Sequence, residues 1–277
     1  MFDIRIIVLL ARRELRDALR NRWFVIYSAG FICLAMGLSW VALAFTSSYG
    51  VAGFGRTSAG MINLVLLVVP LMGLTLGALA IAGERERGEM LVLLAQPVTQ
   101  AEMLLGKYVG LALALIGSLA LGFGLSGLLV VTRAGAARFE DFVVLVGMTI
   151  LLALGSLSMG FAISAGIRRS ATAMGGAVIF WLGLVFLSDL ALMATAVSGS
   201  LGPDGLFATA MANPLQVFKM AVILGMRDNL EVLGPAGTYA VRTYGSSLLP
   251  GLLTALGLWV VVPLAVSYPL MKRKGAV

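Results

Sequence analysis

The sequence predicts an all-α integral membrane protein with six transmembrane helices, and two observations carry this prediction. Of the 277 residues, 60% are hydrophobic and only 12% are charged, which is too apolar for the surface of a soluble domain of this length. The apolar residues also occur in runs of about 22 to 25 residues, long enough to cross a hydrocarbon core of roughly 30 Å. A transmembrane barrel would instead show short strands of alternating polarity.

Six apolar runs are predicted to cross the membrane, and we number them spans 1 to 6 in chain order. Their expected limits are residues 23–45, 61–83, 108–131, 142–166, 173–197 and 248–271. We therefore expect an amphipathic interfacial segment at 1–22 and a six-helix domain at 23–277. Within that domain we expect a hairpin at 84–107, between spans 2 and 3, and an outer segment at 198–247.

The first 22 residues form an element of their own. Between residues 4 and 20, apolar residues alternate with arginines and acids, a pattern typical of an amphipathic helix that lies in the headgroup layer. The run that follows is too long for the core of a cleavable signal peptide. The predicted helix either anchors span 1 or acts as an elbow that also braces a cytoplasmic partner.

The lysines and arginines predict the orientation of the spans. Fourteen of the 20 lie before span 1, between spans 2 and 3, between spans 4 and 5, and after span 6. Because cytoplasmic loops carry the excess of positive charge, both termini are expected in the cytoplasm. The net charge of +7 is therefore interpreted as a topology signal. No basic patch is interleaved with stacking aromatic residues, so nucleic acid is not an expected partner.

The residue types exclude several kinds of active site. The chain has one cysteine, Cys33, and no histidine, so it lacks the ligands of a usual zinc or copper site and the base of a Ser–His hydrolase. Asp189 is the one acid within the predicted spans, which leaves no intramembrane aspartyl pair. "LLGKYVG" lacks the remaining residues of a phosphate-binding loop. We therefore expect no catalytic residue, no metal site and no cofactor on this chain.

The hairpin after span 2 concentrates charge in "GERERGEM". Gly88 is expected to loosen the chain, and a short apolar helix is predicted from residue 89 to 95. Pro97 stops that helix, because the residue before a proline avoids helical angles. Thr99 followed by Glu102 is the capping-box pattern that starts span 3. A short apolar helix between charged residues, facing the cytoplasm, is typical of a docking site.

Two features lie toward the outer side. Asp189 is a carboxylate inside span 5, so it is expected to face a helix interface or a wet cavity. It serves either as a lock between helices or as part of a substrate path. In the segment 198–247, Asn213 and Pro214 are expected to start an interfacial helix that ends near residue 226. This segment is either a lid or a landing site for a periplasmic protein, with contacts expected at Asn213, Pro214 and Phe218.

Gly73 and Gly77 in span 2 have the GxxxG spacing that lets two helices approach closely. The sequence leaves open whether they serve a dimer seam or a seam within the chain.

The stretch "GERERGEMLVLLAQPVTQAEMLLGKYVG" resembles the segment between the second and third helices of ABC type-2 exporter permeases, and "ARRELRDALRNRW" resembles their interfacial elbow. The resemblance implies that the hairpin is a coupling helix that fits a groove on a separate cytoplasmic ATPase, which would bind ATP and Mg. It also implies a smaller contact at "IRRSAT". The residues that it assigns to ATPase coupling are Glu84, Arg85, Glu86, Gly88, Glu89, Leu91, Leu94, Pro97, Lys107, Arg168 and Arg169.

Shorter patterns, "LRNRW", "FLSDLALM" and "NPLQVFK", are similar to the permeases of the transporter that matures nitrous oxide reductase. This resemblance implies a homodimeric permease of the bacterial inner membrane. It would work with a cytoplasmic ATPase and a periplasmic accessory protein in assembly of a copper–sulfur centre. An exporter of a lipid, drug or polysaccharide is an alternative. A membrane scaffold without an ATPase is an alternative of another class.

Overall fold

The computed structural model describes residues 3–49, 52–90, 98–134, 139–198, 202–226 and 235–274. Within these ranges the chain is helical and contains no strand. The helices are α1 (Ile4–Arg20), α2 (Arg22–Tyr49), α3 (Ala52–Glu86), α4 (Gln100–Ala134), α5 (Phe139–Gly166), α6 (Ser170–Leu182), α7 (Ser188–Ser198), α8 (Pro203–Met211), α9 (Pro214–Gly225), α10 (Pro235–Tyr244) and α11 (Leu248–Lys274).

The six expected spans are present. In the described ranges, six helical stretches are long and apolar enough to cross a membrane. They are α2, α3, α4, α5, the α6–α7 pair, and α11 with the preceding α10. Helices α3 and α4 each contain 35 residues, or roughly 52 Å at 1.5 Å per residue. Their ends therefore project beyond a hydrocarbon core of ordinary thickness.

Helix α5 lies at the centre of the bundle, with α3 and α11 packed along it. Helix α3 approaches closely because its two predicted packing glycines face α5. A Cβ atom on Gly73 would lie 2.8 Å from Ser156 Cβ, and one on Gly77 would lie 2.9 Å from Gly160 Cα. The GxxxG spacing in span 2 therefore serves a seam within the chain.

Helix α1 packs against the start of α4. Asp3 caps its first turn by accepting the N–H of Arg5 at 2.9 Å. Asn21 ends the helix in an extended conformation and accepts the N–H of Trp23 at 3.0 Å. One asparagine thus stops α1 and starts α2, which produces the bend between them. The location of α1 in the headgroup layer stays a prediction.

Span 5 is the least covered span among the described residues. Its two helices, α6 and α7, are joined by a π turn at Gly183–Leu187, and α6 packs mainly against α3. Its exposed large apolar side chains are Ile179, Phe180, Leu182, Phe186, Leu187, Leu190 and Met193. In a membrane this face meets lipid or another protein.

The outer segment packs more deeply than the sequence suggests. Helices α8 and α9 meet at a bend of 107°. As expected, α9 begins at Pro214 behind Asn213, whose side chain accepts the N–H of Leu215 at 2.8 Å. However, α9 packs against α5 and α11, and Phe218 is fully buried. The sequence suggests Phe218 as a contact for a periplasmic protein, whereas its side chain lies in the core and is not available to a partner.

Candidate functional site

The candidate site lies where α3 ends and α4 begins, which we call the hairpin end of the bundle. An ion triad joins three helices there. Lys107 Nζ on α4 lies 2.5 Å from Glu14 Oε1 on α1 and 2.6 Å from Glu84 Oε1 on α3. The Lys107 side chain is 2% exposed. Arg13 on α1 extends the network, at 3.9 Å from Glu84 and 3.6 Å from Glu89.

Burial and charge act differently on Glu14 and Glu89, two carboxyl groups of this network. Burial raises the pKa of Glu14 above its ordinary value of 4.5, and the neighbouring Lys107 opposes that rise. At the exposed edge, a hydrogen bond from Arg87 lowers the pKa of Glu89, with Arg87 Nε 2.8 Å from Glu89 Oε1. The network therefore excludes water around Lys107 and is open to water around Glu89. Lys107 is the cation that holds the carboxylates of Glu14 and Glu84 together.

The close fit of α1 on α4 depends on two glycines that sequence reasoning missed. A Cβ atom on Gly106 would lie 2.6 Å from Leu10 Cβ, and one on Gly110 would lie 2.6 Å from Glu14 Cβ. These glycines belong to "LLGKYVG", and their GxxxG spacing is the signal that could have found the seam. Because Lys107 follows Gly106 directly, the same close approach brings its ammonium group to Glu14.

The predicted capping box fixes the start of α4. Thr99 N donates to Glu102 Oε2 at 2.9 Å, and Glu102 N donates to Thr99 Oγ1 at 3.2 Å. The other carboxylate oxygen of Glu102 accepts the N–H of Asp3 at 2.7 Å. One acid therefore orders both the return of the hairpin and the beginning of α1.

Arg85 faces the interior of the chain. Its Nη1 donates to the carbonyl oxygens of Ile167 at 3.1 Å and Ala165 at 3.4 Å, at the end of α5. A cation at the last carbonyls of a helix stabilises that end. Like Glu84 and Lys107, Arg85 was assigned to ATPase coupling by the family resemblance, and all three are buried with partners inside the chain.

Glu86, Arg168 and Arg169 lie on the exposed side of the hairpin end. The Glu86 carboxylate accepts the N–H of Ser170 at 2.8 Å and also its hydroxyl hydrogen bond. This contact places a negative charge at the start of α6, where a helix favours one, and it joins α3 to span 5. The two arginines occupy the turn just before α6, with surface that a partner can reach.

The structure describes the hairpin up to residue 90 and again from residue 98. Gly88 has a φ of +74°, a left-handed conformation that favours glycine, and it redirects the chain toward Glu89. Leu91, Leu94 and Pro97 lie outside the described residues. The coupling helix expected between residues 89 and 95 therefore stays a prediction.

Asp189 lies beside the π turn and is tied to the outer segment. Gln216 Nε2 on α9 donates to its carboxylate, and Asn213 Nδ2 donates to Leu184 O in the π turn at 2.8 Å. Asp189, Gln216 and Lys219 line a cavity of about 130 Å³. The structure thus contains a polar link between span 5 and α9, and a substrate-path role for Asp189 stays a prediction.

Within the described residues, no group of three or more His, Cys, Asp or Glu side chains is placed to hold a metal ion. Cys33 is free and exposed.

Comparisons with known proteins give the chain its relatives. Residues 8–276 match the family described as ABC-2 family transporter protein. The probable ABC transporter permease protein NosY of Pseudomonas aeruginosa is 31% identical over 274 residues, which cover 96% of this chain and 97% of that protein. The protein of the same name from Stutzerimonas stutzeri is 29% identical over 271 residues, with the same coverage of 96% and 97%.

Proposed function

Because this chain belongs to the ABC-2 transporter family and is a permease subunit similar to NosY, we propose that it converts the work of a separate cytoplasmic ATPase into movement of its membrane helices. ATP and Mg bind to that partner. The partner docks on the hairpin end, through the hairpin at 84–107 and the turn that carries Arg168 and Arg169.

The observation that carries this proposal is the connectivity of the hairpin end. Lys107 joins α1, α3 and α4, Arg85 joins α3 to the end of α5, and Glu86 joins α3 to the start of α6. A force applied to the hairpin is therefore passed to several spans at once. Arg168 and Arg169 remain exposed beside this unit, which gives a partner a charged surface to bind.

A second copy of the chain is part of the proposal. Span 5 leaves most of its large apolar side chains exposed, and Asp189 is exposed on the same span. A carboxylate at this depth is costly in lipid and is expected to face protein or water. Homodimerisation along span 5 would cover both features, with the seam between α3 and span 5 moving as the hairpin moves.

The biological setting that we propose is maturation of the copper–sulfur centre of nitrous oxide reductase in the bacterial inner membrane. Its support is the similarity to two NosY proteins over nearly their whole length, together with the short sequence patterns described above. In this setting the outer segment would help to bind a periplasmic accessory protein. Since Asn213, Pro214 and Phe218 are all buried, that contact must use the outward surface of the segment, with Asn213 and Pro214 shaping it from within.

Co-purification with the ATPase subunit tests the proposal. We expect Arg168→Glu combined with Arg169→Glu to lower the yield of captured ATPase about tenfold or more, because charge reversal at an interface costs affinity. Leu91→Asp combined with Leu94→Asp should do the same if the hairpin carries the apolar part of the dock. ATPase activity should lose its dependence on the permease in both variants.

The matched control is Lys272→Glu with Arg273→Glu, which makes the same change of charge at exposed residues after span 6. This control should capture the ATPase at wild-type yield. Wild-type capture by both test variants would show that the hairpin end is not the dock. A wild-type permease that captures no ATPase would favour the scaffold alternative.

A further inference from the structure

A cavity of about 260 Å³ lies beside the ion triad, between α1, α3 and α4. Its lining changes character along the helices. One part of the lining consists of charged residues around the ion triad. The other part is apolar and lies about one to two helical turns away, with Leu76 and Leu79 of α3 and Leu111 of α4. The ion network forms part of the cavity wall. Its mixed lining suits an amphiphilic occupant.

One oxygen in this lining lacks a partner. Glu84 is 6% exposed, and its Oε1 is bound by Lys107 at 2.6 Å. Its Oε2 is buried with no hydrogen-bond partner among the described residues. Buried polar atoms are nearly always satisfied in folded proteins, and an unsatisfied charged oxygen is especially costly. The site therefore calls for a hydrogen-bond donor that these residues do not supply.

The charges of the lining favour a cationic donor. The carboxylates are Glu14, Asp17, Glu84 and Glu89, and the cations are Arg13, Arg87 and Lys107. Each of these cations already lies within 4 Å of a carboxylate, so the lining has one negative charge in excess. A bare metal ion fits poorly, because no three of the described acids are grouped to hold one.

We propose that this cavity binds the headgroup of an amine-headed phospholipid, such as phosphatidylethanolamine. The ammonium group of this zwitterionic headgroup donates to Glu84, while the apolar part of the lipid lies along Leu76 and Leu79. A lysine or arginine from a protein partner could reach the same carboxylate, but it would leave the apolar lining uncovered. With the hairpin end in the cytoplasm, as proposed above, this lipid lies in the cytoplasmic leaflet, and only that assignment rests on the proposed function.

The test compares headgroups that differ in N–H donors. Full-length permease, with any ATPase that co-purifies, is measured by native mass spectrometry and by thermal unfolding in detergent. The added probes have identical acyl chains and carry ethanolamine, monomethylethanolamine, choline or glycerol headgroups. We expect retention and stabilisation to fall in that order, with choline about tenfold weaker than ethanolamine, since it keeps the charge but donates no N–H bond.

Two variants locate the site. Glu84→Gln should remove the preference for ethanolamine over choline, and Asp17→Asn, at the exposed rim of the cavity, should weaken it without breaking the triad. Glu140→Gln is the matched control, since this exposed residue lies at the start of α5. It should bind like the wild type.

Four results would overturn the proposal. The first is equal binding of all four lipids. The second is an ethanolamine preference that survives in both Glu84→Gln and Asp17→Asn. The third is equal stabilisation by glycerophosphoethanolamine, which has the headgroup but no acyl chains. The fourth is loss of the preference on assembly with the ATPase, which would assign the cavity to a partner side chain. The first three results do not depend on whether the hairpin docks an ATPase.

Discussion

The two ends of the bundle solve the problem of buried polar groups in opposite ways. At the hairpin end, buried charges connect neighbouring helices: Lys107 pairs with Glu14 and Glu84, and Arg85 donates to carbonyl oxygens at the end of α5. At the opposite end, which we call the outer end because it carries the outer segment 198–247, the helices themselves are interrupted by the π turn in span 5 and by the 107° bend between α8 and α9. There, amide side chains of Asn213 and Gln216 provide the links.

This difference indicates where the chain transmits motion and where it can absorb it. A buried ion network has large penalties for partial disruption, so helices joined by it move together. A π turn and a sharp bend already depart from the regular hydrogen-bond pattern of an α-helix, and such breaks are frequent at functional sites. We therefore expect the hairpin end to act as one unit and the outer end to change shape.

The largest effect is expected from Lys107→Met, which would break the hairpin end. It leaves Glu14 and Glu84 buried without their cation, at a cost of about 3–5 kcal/mol. The measurement is thermal unfolding of the purified protein in detergent. Lys272→Met is the matched control, since that lysine is exposed, and it should unfold like the wild type. Adding Glu84→Gln to Lys107→Met should recover part of the lost stability. An unchanged unfolding temperature for Lys107→Met alone would show that the triad does not stabilise the protein.

A second prediction tests the close packing of α3 against α5, the two helices that connect both ends of the bundle. Gly77→Ala places a methyl group 2.9 Å from Gly160 Cα, so the two helix backbones must separate at a cost of about 1–3 kcal/mol. Gly147→Ala is the control, because a Cβ atom there meets nothing within 4 Å. It should be neutral or slightly stabilising in the same unfolding experiment. Equal behaviour of the two variants would contradict the close packing.

At the outer end, Asn213→Ala should destabilise the chain by about 0.5–2 kcal/mol, the usual range for loss of an N-cap. It also frees the carbonyl of Leu184 in the π turn. Asn213→Asp separates the two contacts, because aspartate keeps the cap acceptor for the N–H of Leu215 but cannot donate to the carbonyl of Leu184. Hydrogen exchange of α9 and of the π turn separates the effects: the aspartate should loosen mainly the π turn and the alanine both. Equal protection in all three proteins would show that Asn213 does not connect them.

The smallest effect concerns pH. The pKa of Glu14 is raised in the folded chain above its ordinary value of 4.5, so the folded state holds its proton over that window while the unfolded state has released it. Stability from this group is therefore greater at low pH and falls as pH rises from 4.5 through the raised value. Thermal unfolding of wild type and Glu14→Gln over that range should show the wild type gaining on the variant as pH is lowered. A constant difference would contradict the shift.

The fold was largely predictable, because apolar length determines spans and caps determine helix starts. The Thr99–Glu102 box and the Asn213 cap are both confirmed. The directions of the charges after span 2 were not predictable. Successive helical residues are rotated by about 100°, so the consecutive charges at the end of α3 point toward different neighbours. Arg85 consequently turns inward and Glu86 outward.

Phe218 shows a second limit of the sequence. A lipid tail and a protein core are equally apolar, so composition alone does not tell a lipid-facing side chain from a protein-facing one. The helix α9 was predicted, but its burial against α5 and α11 depends on long-range packing. The GxxxG pair Gly106 and Gly110 was readable in principle, although its partner, the amphipathic helix α1, was identifiable only from the packed chain.

The most direct test of the account is photocrosslinking from the two ends of the bundle in the intact membrane. A photoreactive residue at Arg168, at the hairpin end, should crosslink to the cytoplasmic ATPase, and one at Tyr244, exposed at the end of α10, should not. Binding of nucleotide to the ATPase should change the yield at Arg168, since the proposed mechanism passes the work of the ATPase through this docking site. Crosslinks to the ATPase from Tyr244 but not from Arg168 would contradict both the orientation and the coupling role of the hairpin end.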